Sequence, residues 1–272
     1  MLLAGFVGAT LVRLAPGFGV DEEELDVRFS HQSNQAIRGS HSNRDSLPLF
    51  YLRYLQRTFT GDLGISNTLH QPVSHLLAER APETIRSVGI GLVVAWTLGL
   101  SLAIPSVMSR NWGIDLFASL MAAALLCVPV GVLAILSVIA RMPGQFVIGL
   151  IVFPKVFRFV RNLFAHSESL PHVVMARAKG LGAVRILIWH ILPITAPQML
   201  ALFGVSVSMA FAAAIPVEAL CDLPGIGQLA WKAALGRDVE LLVILTLIVT
   251  AITLLANSGS DLLEDSHRTG AA

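Results

Sequence analysis

The sequence predicts an all-α, polytopic membrane protein with about six transmembrane helices, the first of them short, and one short cytoplasmic helix. Three observations carry that prediction. Hydrophobic residues make up 54% and charged residues 14% of 272, with a mean hydropathy of +0.71, far from the soluble average. Apolar runs recur at about the 20 residues needed to cross the hydrocarbon core as helix. Six cations, Lys155, Arg158, Arg161, Arg177, Lys179 and Arg185, gather in and around one connection, which the positive-inside rule assigns to the cytoplasm. The net charge of +1 and the lack of a basic patch interleaved with aromatics argue against a nucleic-acid binder.

Residues 1–14 are apolar apart from Arg13 and short for a span. They lack the basic start of a signal peptide, and Pro16-Gly17 is no small-residue cleavage site. Residues 18–83, of mixed sign and rich in Ser, His and Asn, suit a solvated extracytoplasmic segment. Residues 85–108 carry only Arg86, and residues 114–140 only Asp115, so each reads as a span. Residues 145–164 are weaker, interrupted by Pro154, Lys155, Arg158 and Arg161. They cross only if those cations snorkel to one headgroup surface. Residues 197–216 hold no charge, and residues 241–257 are apolar apart from threonines and Asn257. With these spans, Arg110 falls inside, and Arg141 and residues 216–239 fall outside.

The most informative stretch is Ala176, Arg177, Ala178, Lys179, Gly180, Leu181 and Gly182, followed by His190-Ile191-Leu192-Pro193. On a lipid-facing span each of these cations would cost roughly 2.5 to 3.5 kcal/mol, so the stretch lies outside the bilayer, in a loop of residues 163–193. Residues 175–179 are good helix formers. Gly180 and Gly182 permit a sharp change of direction, and Pro193 stands near the start of the next membrane helix. A short helix pinned at both ends moves as a rigid body when a partner moves.

Two further patterns stand outside the membrane. Leu47-Pro48-Leu49-Phe50-Tyr51-Leu52 leads to Gly61-Asp62-Leu63-Gly64-Ile65-Ser66, and Pro72-Val73 and Leu76 to Thr84 follow; alone this is an amphipathic helix and a glycine turn. The second is Val217-Glu218, then Leu223-Pro224-Gly225-Ile226-Gly227, then Arg237-Asp238. Pro224, Gly225 and Gly227 favour a tight re-entrant or surface turn. Glu218, at the end of an apolar span, is either a functional carboxylate or a hydrated one, and Arg237 with Asp238 suits a solvated pair. Cys127 and Cys221 read as buried small hydrophobes rather than a disulfide or metal site. His31, His41, His70 and His75 read as surface polar residues. No catalytic residue, metal site or nucleotide-binding loop is assigned, so any ATP is hydrolysed by another chain.

The stretch from Ala176 to Leu181 resembles the coupling loop of binding-protein-dependent ABC transporter permeases, in the dipeptide/oligopeptide/nickel branch. The patterns ending at Ser66, Thr84, Gly227 and Asp238 resemble the same family in the same order. Leu14-Ala15-Pro16-Gly17 is similar to the end of its first helix, which implies a start codon set too late or a shortened helix. The resemblance implies a single permease domain over residues 1–272 in a bacterial or archaeal plasma (inner) membrane. It implies a second permease subunit, ATP-binding subunits docked on the loop, an extracytoplasmic solute-binding protein, and no cofactor in this chain, with ATP on the partner subunits. The function implied is that of a permease subunit of an importer for peptides or a related solute such as nickel. Departures are Val174 at the family's acidic position, Cys221 for its Phe, a short stretch from Pro143 to Arg158, and no D-P-R close. Alternatives are a secondary transporter or channel, a membrane-embedded enzyme, a purely structural subunit, and a degenerate permease copy.

Overall fold

The computed structural model describes residues 63–66, 68–109, 112–236 and 238–269. The residues expected to form a short first helix, most of those expected to form an extracytoplasmic segment, Arg110 and Arg237 lie outside the described residues. The helices are α1 (Val73–Met108), α2 (Trp112–Cys127), α3 (Val130–Ile139), α4 (Gly144–Glu168), α5 (Pro171–Ala178) and α6 (Ala183–Ile186), then a π-helical turn (Leu187–Ile191), α7 (Leu192–Leu220), α8 (Ile226–Leu235) and α9 (Val239–Thr269). The only extended pairing among the described residues is an isolated bridge between Ile65 and Pro72. The chain forms two compact units, residues 1–79 with 230–250 and residues 80–229 with 251–272.

Among the described residues two helices, α1 and the continuous run Ala183–Leu220, are long and apolar enough to cross a membrane unaided. A third crossing exists if α2 and α3 count as one bent span. The single straight span expected over residues 114–140 is therefore corrected: α2 and α3 meet at a 100° bend. Pro129 causes it, because proline offers no N–H to the helix ladder and pushes the residue before it, Val128, out of helical conformation. The other spans lengthen. α1 begins at Val73 and absorbs Pro82 and Pro105, and the expected span 197–216 is part of a helical run from Ala183.

In the second unit the core is organised around α4, which packs against α2, α3 and α7. Val147, Ile148, Val152, Phe153, Val156, Phe157, Val160 and Phe164 are all buried. α1 and α4 approach closely through glycine. A Cβ on Gly149 would stand 2.7 Å from the Val94 side chain and 3.0 Å from the Gly91 carbonyl oxygen, and one on Gly91 would stand 2.7 Å from Ile148. Small residues at such crossings let helix backbones meet where lipid supplies no hydrophobic drive. Cys221 is half-buried against Gly144, and Cys127 is exposed; both thiols are free. Neither is thus the fully buried hydrophobe that was expected, since Cys127 sits on an outward face of α2.

Candidate functional site

Proline at its first turn starts α5, where a missing N–H is harmless. The helix ends in a hook: Gly180 N–H donates to the Arg177 carbonyl and Leu181 N–H to the Ala176 carbonyl, the two bonds that close a helix through a left-handed residue. Gly180 has φ +76°, so the expected change of direction is there. Gly182 is extended, with φ −66°, and caps α6 instead. Val173 and Ala176 are buried, while Val174, Met175, Ala178 and Lys179 are exposed. Arg177 donates to Glu168 at the end of α4, at 2.7 Å. Beyond the hook, Gly182, Ala183, Val184, Arg185, Ile188 and Trp189 line an open hollow of ≈ 670 Å³. Pro193 is exposed in the first turn of α7.

One partner of this loop's approach escaped the sequence. Arg161 grips Asp115 with both faces of its fork, Nε to Oδ1 at 2.8 Å and a terminal nitrogen to Oδ2 at 2.6 Å. Arg161 thus fastens α4 to the first turn of α2. Residues 46 positions apart give no local signal of this pairing. The other cations of α4, Lys155 and Arg158, are exposed.

Glu218 is fully buried, which removes the hydrated alternative. Its Oε2 accepts from Gly227 N–H at 2.7 Å and from the Thr84 hydroxyl at 3.1 Å, and that hydroxyl in turn accepts from Ile226 N–H at 2.8 Å. Two of the four unpaired donors at the start of α8 are thereby satisfied, and a carboxylate faces the positive end of the helix. The Glu218 Oε1 has no hydrogen-bond partner among the described residues. Both glycines of the motif are explained here. A Cβ on Gly225 would run into the Glu218 carboxylate, and one on Gly227 would stand 2.6 Å from Ile215 backbone. Outside this core, Gln228 donates to Asp222 and accepts from Arg80 at 3.3 Å. Pro224 is exposed. Thr84 belongs to a run noted in the sequence, but nothing there ties it to Glu218.

In the first unit Asp238 plays a similar part at α9. Its Oδ1 accepts from Leu241 N–H at 3.1 Å, and its Oδ2 accepts from the Ser66 hydroxyl at 2.6 Å and Thr68 N–H at 3.2 Å. Asp238 is 1% exposed and Ser66 is fully buried. The solvated pair expected for this acid is corrected to a buried helix cap. The glycine-turn pattern ending at Ser66 and the acid at 238 are thus two halves of one clasp.

A family model described as binding-protein-dependent transport system inner membrane component matches residues 95–268. The nickel import system permease protein NikB of Staphylococcus aureus (strain USA300) is 27% identical over 97% of this chain and 86% of its own length. The oligopeptide transport system permease protein OppB of Escherichia coli (strain K12) is 25% identical over 89% of this chain and 85% of its own. The dipeptide transport system permease protein DppB of Lactococcus lactis subsp. cremoris (strain MG1363) is 24% identical over 78% and 77%.

Proposed function

The chain belongs to the binding-protein-dependent transport system inner membrane components, and on that premise we propose that it is the permease subunit of an ATP-driven importer of peptides or a related small solute such as nickel. The family match over residues 95–268 carries the reading. In this reading the chain is one permease domain of about six crossings, with residues 18–83 outside and 163–193 inside. It pairs with a second permease subunit and receives solute from an extracytoplasmic binding protein. ATP is bound and hydrolysed by separate subunits, and this chain is no enzyme.

The helix α5 and its hook supply the contact with the ATPase. Val174, Met175 and Lys179 are exposed on one short helix, while Val173 and Ala176 anchor its other face and Arg177 ties it to α4. An element held in this way follows a moving partner as a body. ATP-driven movement of the partner then shifts the permease between inward- and outward-open states, which requires that partner or solute bind the two states differently. Glu218 and Asp238, with Pro224, Gly225 and Gly227, shape the outer connection by fixing the starts of α8 and α9.

Affinity purification from the native membrane tests the reading. The wild type is expected to recover an ATP-binding subunit, and Arg177→Glu and Gly180→Asp to lose it while still inserting in the membrane. Absence of any ATPase with the wild type sinks the proposal.

A further inference from the structure

The exposed faces of most described helices are apolar and suited to lipid: Ile85 and Val93 on α1, Phe117 and Leu120 on α2, Ile135 and Ile139 on α3. α4 is the exception. Apart from Phe146 near its start, its exposed positions are 155, 158, 159, 162, 165 and 166, which at 100° per residue form one stripe. Lys155, Arg158, Asn162 and His166 supply its polar groups, with Phe159 and Ala165 between them. The stripe contains no acid. Lys155, Arg158 and His166 make no side-chain hydrogen bond or ion pair among the described residues, whereas Arg161, on a different side of the helix, is held by Asp115.

A helix of 25 residues is about 37 Å long, more than the roughly 30 Å of the hydrocarbon core. Lys155 lies eleven residues, about 16 Å, from its start at Gly144. α4 is not among the described helices apolar enough to cross unaided; in the importer reading it crosses in company. An ammonium and a guanidinium at such depth are tolerated where they face a water-filled cavity rather than lipid, and such residues mark solute pathways. A cleft lined by one sign of charge concentrates ligands of the other sign. It works against a bare divalent cation.

We propose that the stripe of Lys155, Arg158, Asn162 and His166 on α4 faces the translocation path and receives the carboxylate of a peptide. The inference rests on the importer reading and chooses within it, for a peptide with a free C-terminus and against nickel. Arg158 suits the carboxylate as a planar two-pronged donor, and Lys155 as a mobile point charge.

The test uses the complete importer, purified with its partners and binding protein and reconstituted in vesicles, with three probes: trialanine, trialanine C-terminal amide and nickel ion. Uptake by Lys155→Gln/Arg158→Gln is divided by wild-type uptake for each probe, which cancels the binding protein's own preference. Trialanine uptake is expected to fall about tenfold, the low end of what a one-sign cleft adds to local concentration, with the amide falling less than about twofold. Equal loss for both peptides, or loss for neither, overturns the inference and leaves the importer reading standing. Nickel uptake without peptide uptake does the same. ATP-independent uptake, or no ATPase in the preparation, removes the importer reading and this inference with it.

Discussion

Helices α5 and α7 end with the same hook, yet the two hooks sit in opposite surroundings. At α5 the left-handed residue is Gly180 and a Cβ there would meet nothing within 4 Å. At α7 it is Asp222, with φ 53°, followed by a Leu223 N–H bond to the Glu218 carbonyl. Around the second hook all the singled-out residues but the exposed Pro224 have an internal reason: Glu218 caps α8, Gly225 and Gly227 make room for its carboxylate, and Asp222 accepts from Gln228. Around the first, Val174, Met175, Lys179 and Gly182 have little inside the chain to touch. A pattern exhausted by internal contacts needs no partner to explain it, whereas an exposed apolar pair beside a cation is what a partner surface uses.

The sharpest test of this contrast is steric. Gly227→Ala sets a methyl against Ile215 Cα and carbonyl oxygen at 2.6 Å, backbone that cannot rotate aside. We expect a loss on the order of 3 kcal/mol, the upper end for overpacking, read as a lowered Tm in detergent and a poor folded yield. A Tm within a degree of wild type would mean the 222–227 turn yields to a methyl group, and the contrast would collapse.

The buried acid gives an effect of comparable size. Glu218→Ala leaves Gly227 N–H and the Thr84 hydroxyl without their acceptor, about 1–3 kcal/mol for each group left unpaired. Glu218→Gln keeps an oxygen in place and should recover most of that stability. If the glutamine variant falls as far as the alanine variant, the charge at the start of α8 matters more than the hydrogen bonds, and thermal unfolding of the two variants side by side decides it.

The helical class of the fold followed from apolar length alone, and the hook at Gly180 followed from a glycine after a run of helix formers. Bends and clasps were less legible. Pro129 lies in an apolar run whose composition passes for a straight span, because hydropathy does not register a missing N–H. Ser66 with Asp238 and Thr84 with Glu218 are joined over 172 and 134 residues, and only the packing of helices brings them together. In the sequence Asp115 is a lone charge at the entry of a span and Arg161 one of a cluster of cations. Their pairing became visible only once α2 and α4 were seen to pack.

The smallest expected effect tests the other side of the contrast. Val174 is 53% and Met175 63% exposed on α5, so Val174→Ser removes little buried area and should change stability by no more than about 0.5 kcal/mol, as surface substitutions do. If the residue serves a partner, recovery of the ATP-binding subunit in the same preparation should fall although Tm does not. A fall in Tm with recovery intact would give Val174 an internal role, and the two hooks would no longer differ in kind.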